Sequence, residues 1–570
     1  MGVKSNPMRN LFRFFLLLCP VFIHAQALVR GPYLQSPGPS SIILRWRTDV
    51  ATDSRVTYGT SITSLTLSAD NVFTTTEHRI QLTGLSPGTQ YYYTIGSTTQ
   101  PLKGPNSLMH FTTAPDPANP TPIRLWAMGD FGHGNAGQAL VRDSYLSFAA
   151  ADRPADLWLW LGDNVYQDGT DDEFQTKVFD SIYGYHHLFM NLPFAATSGN
   201  HDYNSICPWQ DPNGFPVLCG EDPNTHDGPY LQLIDPPTNG ELGGVPSNLK
   251  LFYSFDYGDI HFICLNSELG SWTPAYDWIG IADNDTTFTS PMLEWLKADL
   301  AATTKKWKVA FWHQCPYSGQ DNFTEENSVQ QFCVATRHHF NPILERYGVD
   351  LVLTGHDHNF QRSYFINGHY FGKSSFTPDM LIDGSSGNDS LGEAYIKYTD
   401  GPLAGKGAVY VVAGNTSNVN GYSPIEHPAI YWGEACDTCL GSFLVDIDGD
   451  RLDGFYLTAN GEIRDRFTIK KQSSTGVIEQ QQPVIRVNVY PNPSNGLVTV
   501  SYMLLEKSVV QIDVLDLTGK TIYSLPEMSR EPGSCRDILD MEKAGLTRGT
   551  YLVRLNGGGI MKHVKVVKME

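Results

Sequence analysis

Residues 155–166 read "ADLWLWLGDNVY". The run 157–161 is apolar throughout and bounded by polar residues, so it reads as a short buried strand. A Gly-Asp at its end, Gly162-Asp163, presents a carboxylate beyond the sheet. Tyr166, three residues further on, either packs or uses its oxygen for chemistry. The same grammar recurs from residue 123. "IRLWAMGDFG" is a strand ending in Gly-Asp, "AGQALVRDSYLSFA" a helix, and "FQTKVFDSIYGYHHLF" reads as another helix before "PFAATSGNHD". "HFICLNSE", "SPMLEWLKADLAAT", "WKVAFWHQCP", "RHHFNPILERYG" and "VDLVLTGHDH" continue the alternation. Strands alternating with helices, with polar clusters where strands end, predict α/β architecture whose working residues lie beyond strand C-termini. Further strands at "GAVYVVAG" and "GSFLVDIDGDRLDGFYLTANGEIRDRFTI" imply two packed sheets and a unit that runs from 123 to about 470.

The whole chain has 570 residues, too many for one core, so two to four domains are expected. Composition is globular, with 41% hydrophobic and 18% charged residues. A formal net charge of −20 argues against a nucleic-acid backbone binder, but a local metal site can still accept a small anion. Residues 1–25, with Lys4, Arg9 and Arg13 around a short apolar stretch, read as a secretory signal peptide. No later run is long enough to span a bilayer. Export permits disulfides. With Cys19 removed, proximity suggests the pairs 207–219, 315–333 and 436–439. Residues 30–113 hold short strands such as "SIILRWRT", "TEHRIQLTG" and "QYYYTIGS", which predict a small β-sandwich. "LTGLSPGTQYYYTI" resembles a fibronectin type III module. A proline-rich linker, 113–122, follows it, and a polar linker, 471–483, precedes the tail. In that tail, 484–570, "YPNPSNG", "DLTGK" and "GTYLVRL" resemble the C-terminal sorting domain of type IX secretion, in a second small β-sandwich.

Five segments carry chemistry together: "GDFG" (129–132), "GDNVY" (162–166), "GNHD" (199–202), "WHQCPY" (312–317) and "GHDH" (355–358). Their Asp, Asn and His residues fall at the ends of successive strands and are expected to converge on one sheet edge. An oxygen- and nitrogen-rich set suits Fe, Zn or Mn. Two neighbouring cations grip the non-bridging oxygens of a phosphate ester and lower the pKa of a bound water, giving hydroxide for in-line attack.

From these motifs the chain resembles the purple acid phosphatases, within the calcineurin-like metallophosphoesterases. That resemblance implies an α/β/β/α sandwich between the two β-sandwiches. It also implies a ferric ion held by Asp130, Asp163, Tyr166 and His358. A divalent ion (Zn, Mn or Fe) is then held by Asp163, Asn200, His313 and His356, with Asp163 bridging. His201 stands near the leaving group. In relatives lacking the tyrosine, the first motif reads Gly-Asp-x-His; here that position is Gly132, and Tyr166 is expected to replace the missing ligand. His133 is offset by one and is expected to point elsewhere. The implied function is a secreted acid phosphatase acting on small phosphate esters. Its partner is the type IX machinery, and its place is outside the cell or on its surface. A phosphodiesterase or nucleotide hydrolase with the same metals, and a non-catalytic surface-binding protein, stand as alternatives. His186–His187 are as compatible with the surface as with the site, and the same surface reading is given to His338–His339. Arg362 faces either a phosphate or an acidic partner.

Overall fold

The computed structural model describes residues 2 and 26–569, except 180–181, 203–227, 271–276, 282–287, 321–324, 326–329, 420–426, 435–438, 475–486, 491, 505–506, 532 and 558–559. The expected signal peptide, the 207–219 cysteine pair and Cys436 lie outside the described residues, Gly2 aside.

At the front, β1 (Leu28–Gln35), β2 (Ser41–Gly59), β3 (Leu67–Thr83), β4 (Gln90–Gly96), β5 (Pro101–Lys103) and β6 (His110–Thr112) assemble around the long β2. β2 pairs antiparallel with β1, β3 and β4. Its inward residues Ile42, Leu44, Trp46 and Val56 fill a core of their own with Tyr93 and Phe111. The front strands also continue into the catalytic sheet, because Gln35 at the end of β1 pairs in parallel with Phe194. Arg30 reinforces that seam: buried, it binds Asp171 at 3.0 Å and Gln175 at 2.7 Å.

The central unit holds two mixed sheets. β7 (Ile123–Met128), β8 (Leu157–Leu161) and β9 (Phe194–Thr197) run parallel in the first. In the second, β10 (Tyr253–Tyr257) pairs antiparallel with β11 (Ile260–Cys264), which runs parallel to β12 (Trp307–Phe311) and β13 (Leu351–Thr354). Alternation along β8 explains its all-apolar sequence. Leu157, Leu159 and Leu161 face the second sheet, packing with Phe262, Val309, Phe311 and Leu353. Trp158 and Trp160 face the other way, among Tyr145 of the helix Ala136–Ala151, Phe189 and Phe194. Trp160 stacks on Phe194 at 4.1 Å and Trp126 on Tyr145 at 4.0 Å. The helices Pro291–Ala302, Gln331–His339 and Asn341–Arg346 supply Leu293, Ala335 and Leu344 to the same outer core, completing the layered sandwich. The C-terminal region, from Val487 to Lys568, is β-rich and closes on its own valine-rich core.

Three sequence expectations change. The helix expected over 174–189 is broken: a turn at Phe174–Val178 ends before a separate short helix, His186–Phe189. Its apolar residues do not hold one stripe, since Phe174, Val178 and Phe179 are followed by Tyr185 six residues on, all buried in the tryptophan core. His338 and His339 are buried rather than superficial, against Phe371 and Phe288. Cys315 and Cys333 are free thiols packed together with Val412. Burial pushes the Cys315 thiol well up, and Cys333 Sγ donates to Gln314 Oε1 at 3.4 Å. Cys439, in contrast, is disulfide-bonded.

On β11, His261 is fully buried between two carboxylates, Asp256 Oδ1 and Asp299 Oδ2, each at 2.8 Å. Burial pulls the imidazole pKa down, but these hydrogen bonds outweigh it and hold it above its ordinary value. A raised folded pKa gives stability that is full below the unfolded value of about 6.5 and is lost as pH rises through the folded value. The stability gap between the wild type and His261→Asn is therefore expected to narrow as pH rises from acid to alkaline, measured by urea unfolding. A gap independent of pH would show that the imidazole is neutral there.

Candidate metal centre

The parallel strands β7, β8, β9, β12 and β13 deliver their C-terminal ends to the centre, and each is followed within three residues by a polar donor. These are Asp130, Asp163, Asn200, His313 and His356. The turns are tight enough that Asp130, Asp163 and His356 take left-handed backbone, at φ of 58°, 45° and 70°. Such conformations are rare for residues with a side chain and cluster at functional sites. Phe131 anchors the first loop by its edge contacts with Trp160, at 5.1 Å, and Tyr185, at 5.6 Å. Val165 anchors the second in the same core. The loops then interlock. Asp130 N donates to Gly162 O at 3.0 Å, His356 N to Asp130 Oδ2 at 2.9 Å, and His201 N to Asp163 Oδ1 at 2.9 Å.

Tyr166 is buried, and its oxygen belongs to the site. Its Oη lies 2.9 Å from Asp130 Oδ1, 3.0 Å from Asp163 Oδ2 and 3.0 Å from His358 Nε2. Asp130, Asp163 and His358 offer donor atoms within 4.8 Å of one another. The other oxygen of Asp163 is 3.3 Å from His313 Nε2, and the His313 ring is 5.1 Å from that of His356. His313 Nδ1–H donates to the Leu161 carbonyl at 2.9 Å, which leaves Nε2 as the donor atom on the Asp163 side. Asn200 Oδ1 and His313 Nε2 are buried without a hydrogen-bond partner. Buried polar atoms left unpartnered by protein call for a bound group, and a nitrogen- and oxygen-rich set of this kind fits hard or borderline cations.

Among the protein groups alone, the charges are badly matched. Burial, and then Asp130 and Asp163, push the Tyr166 phenol well above its usual 10. Burial opposes ionisation of Asp163, but His313 and His201 hold it well below the usual carboxylate range. Burial lowers His313 less than Asp163 and Asp130 raise it, so it stands well above the imidazole range. His356, by burial and the nearby His313, is pushed down to about 3 and is neutral.

Of the residues singled out from sequence, Asp130, Asp163 and His358 lie within hydrogen-bonding reach of Tyr166, with His313, His356 and His201 beside them. His201 Nδ1–H donates to the Gln167 carbonyl at 2.7 Å, and its Nε2 lies 4.0 Å from Asp163 Oδ2. Arg362 does not reach the centre; it is buried and forked onto Asp465 at 2.6 and 2.8 Å. His133 does not point away. Its ring lies 3.9 Å from that of Tyr166 with 28° between planes. Reading motif by motif gives Asp202 at most the orienting of a histidine, and misses the other braces behind the donors. Asp202 accepts from Asn164 N and Nδ2, at 3.0 and 2.8 Å, and from Gly199 N at 2.8 Å. Gln330 Oε1 lies 3.2 Å from His356 Nε2, and Glu268 accepts from Gln314 Nε2 at 3.1 Å. The signal for Asp202 was present, since Asn164 and Asp202 are the polar residues of "GDNVY" and "GNHD" that remain once the donors are assigned. Gln330 and Glu268 stand outside any motif. Asp202→Ala is expected to lower metal affinity about 10–100-fold while preserving the far-UV spectrum. Metal retention against a chelator checks this, and unchanged retention would make Asp202 dispensable.

Three family models match the chain. The calcineurin-like phosphoesterase model covers residues 123–360, the purple acid phosphatase N-terminal domain 29–113, and the secretion system C-terminal sorting domain 488–569. Acid phosphatase A of Cryphonectria parasitica is 25% identical over 449 residues, 68% of this chain and 80% of that protein. Purple acid phosphatase 15 of Arabidopsis thaliana is 26% identical over 348 residues, 57% of this chain and 56% of that protein, so the chain spans just over half of that plant relative's length. Purple acid phosphatase PPD1 from yellow lupin seeds shares the fold, with a TM-score of 0.55 at 18% identity over 78% of this chain and 75% of the lupin chain. The sorting domain implies export by type IX secretion, and no helix among the described residues is long and apolar enough to cross a membrane. With the matched domains in this order and the donors gathered at the strand ends, the chain is similar to the purple acid phosphatases and carries a calcineurin-like phosphoesterase domain, the mark of a phosphoric ester hydrolase.

Proposed function

We propose that the chain is a secreted acid phosphatase that hydrolyses phosphate monoesters at a dinuclear centre of Fe(III) and a divalent ion. Asp130, Asp163, Tyr166 and His358 hold the ferric ion, and Asp163, Asn200, His313 and His356 hold Zn, Mn or Fe. Asp163 carries this reading, with Oδ2 3.0 Å from the Tyr166 oxygen and Oδ1 3.3 Å from His313 Nε2. One carboxylate facing two donor groups is what a bridge needs. Tyr166 assigns the charges. A buried phenol beside two carboxylates ionises only against a strongly charged cation, which favours ferric iron over a divalent ion.

When bound, the two cations supply Lewis-acid charge to the phosphoryl oxygens and a water acidic enough to attack near neutral pH. The protein's own part is placement and proton delivery. Its hydrogen bond to Gln167 fixes the His201 tautomer and keeps Nε2 on the Asp163 side, where a protonated imidazole can donate to the departing oxygen. The acid phosphatase name of the fungal relative supports monoesters as substrates. The domains 1–25, 30–113, 123–470 and 484–570 act in this reading as signal peptide, front support, catalytic unit and export label.

Asp163→Asn is expected to lose both ions and all but a trace of turnover, read by metal analysis beside hydrolysis of a simple monoester and a bis-ester. Full metal content in that variant would remove the bridge, and preference for the bis-ester would remove the monoesterase assignment. His201→Ala is expected to slow esters with poor leaving groups far more than activated aryl esters. Equal losses across the leaving-group series would limit His201 to orienting its neighbours.

A further inference from the structure

Tyr166 is held by more than its own loop. The imidazole of His133 stacks against the phenol, with ring centroids 3.9 Å apart and 28° between planes. His133 is itself fixed. Its Nδ1 lies 2.7 Å from Ser417 Oγ, and Ser417 Oγ donates its single proton to the Asp130 carbonyl at 2.5 Å. The hydroxyl must therefore accept from Nδ1–H, which sets both the His133 tautomer and its ring plane. Asn135 Nδ2 adds a second tie to the same residue, donating to Ser417 O at 2.9 Å. A continuous chain thus runs from the backbone of Asp130 through Ser417 and His133 to the face of the Tyr166 ring. The His201 ring also approaches the phenol, at 4.7 Å and tilted by 49°.

We propose that His133, anchored by Ser417, is a positioning residue for Tyr166: it sets the plane of the phenol, and with it the angle at which the tyrosyl oxygen meets the metal. The inference rests on the tyrosinate–iron reading above and extends it. Side chains that orient metal ligands are as much part of a site as the ligands themselves, because a ligand free to tilt loses overlap with the ion. Nothing in the donor pattern requires a histidine at 133. The geometry gives it a task that needs no bond to metal: its Nδ1 is committed to Ser417 and its ring face to Tyr166.

A tyrosinate bound to ferric iron absorbs visible light by charge transfer, and both position and intensity of that band depend on the ring's tilt. The experiment compares the visible spectrum, normalised to bound iron, of the purified wild type, Tyr166→Phe, His133→Ala, His133→Phe and Ser417→Ala. Tyr166→Phe is expected to lose the band. His133→Ala is expected to shift and weaken it, His133→Phe to restore it by replacing the stack, and Ser417→Ala to shift it in the same direction as His133→Ala. An iron-loaded wild type without colour would overturn the tyrosinate reading and this inference with it. A coloured wild type whose band is unchanged in both His133→Ala and Ser417→Ala would overturn the positioning role alone. Failure of His133→Phe to restore a band shifted in His133→Ala would likewise reject the stack as its cause. Should His133→Ala fold poorly, Ser417→Ala and His133→Phe still decide the matter, since both keep a ring-sized or native side chain at 133.

Discussion

The Asp163 carboxylate is the constraint on which the rest of the centre depends. It sits where two loops must nearly touch: a Cβ at Gly199 would lie 2.2 Å from Asp163 N and 2.3 Å from its Oδ1. Only glycine permits that approach, which lets His201 N reach Asp163 Oδ1 and brings Asn200 to the site. Asp202 then ties the two loops from behind through Asn164 and Gly199. A carboxylate held this way has no freedom to rotate away from either donor group. Its two oxygens are assigned by the backbone before any ion arrives. The left-handed φ at Asp163 is part of the same device, since it turns the chain sharply off β8 and keeps the side chain above the sheet edge.

Electrostatics explains why such a cluster exists on a chain of net charge −20. Two buried carboxylates and a phenol are drawn together with neutral His356 in space that water enters poorly. Burying charge without compensation is costly, and among the described residues the protein offsets it only in part, through His313 and His201 beside Asp163. Arg362, the nearby candidate, is spent on Asp465. In the proposed reading, bound cations would complete the compensation, and the strain of the cluster without them would become affinity for them. That compensation would also separate the local field from the global one, so an acidic protein can still receive an anionic ester.

The fold was legible where physics is local. The short all-apolar run "LWLWL" predicted a buried strand, and the structure shows its leucines and tryptophans dividing between two cores. The donors were legible because each lies directly beyond a strand end, where topology alone gathers them. What could not be read depends on contacts distant in sequence. The turn that breaks 174–189 arises because Phe179, Tyr185 and Phe189 all pack into the tryptophan core, which no helical period signals. The continuation of the front sheet into the catalytic sheet hangs on one pair, Gln35 with Phe194. Gln330 and Glu268 act across loops and carry no motif. His133 was misjudged because an offset of one residue implies an opposite side only on an extended chain, whereas this loop turns.

That loop also accounts for the pairing of Gly132 with Tyr166. A Cβ at 132 would lie 2.2 Å from both Asn164 O and Val165 Cα, so no larger residue fits while the second loop follows its present course. The contact is also bonded, since Tyr166 N donates to Gly132 O at 3.0 Å. The backbone of "GDNVY" thus occupies the space a histidine at 132 would need, and the same course carries the phenol to Asp130 and His358. The two differences from a Gly-Asp-x-His motif are therefore one structural choice: the loop that excludes the imidazole brings the phenol. Because a buried phenol ionises only beside a strongly charged cation, the backbone path of these five residues is what the proposed ferric-iron assignment rests on, and a histidine in that place would give it no such support.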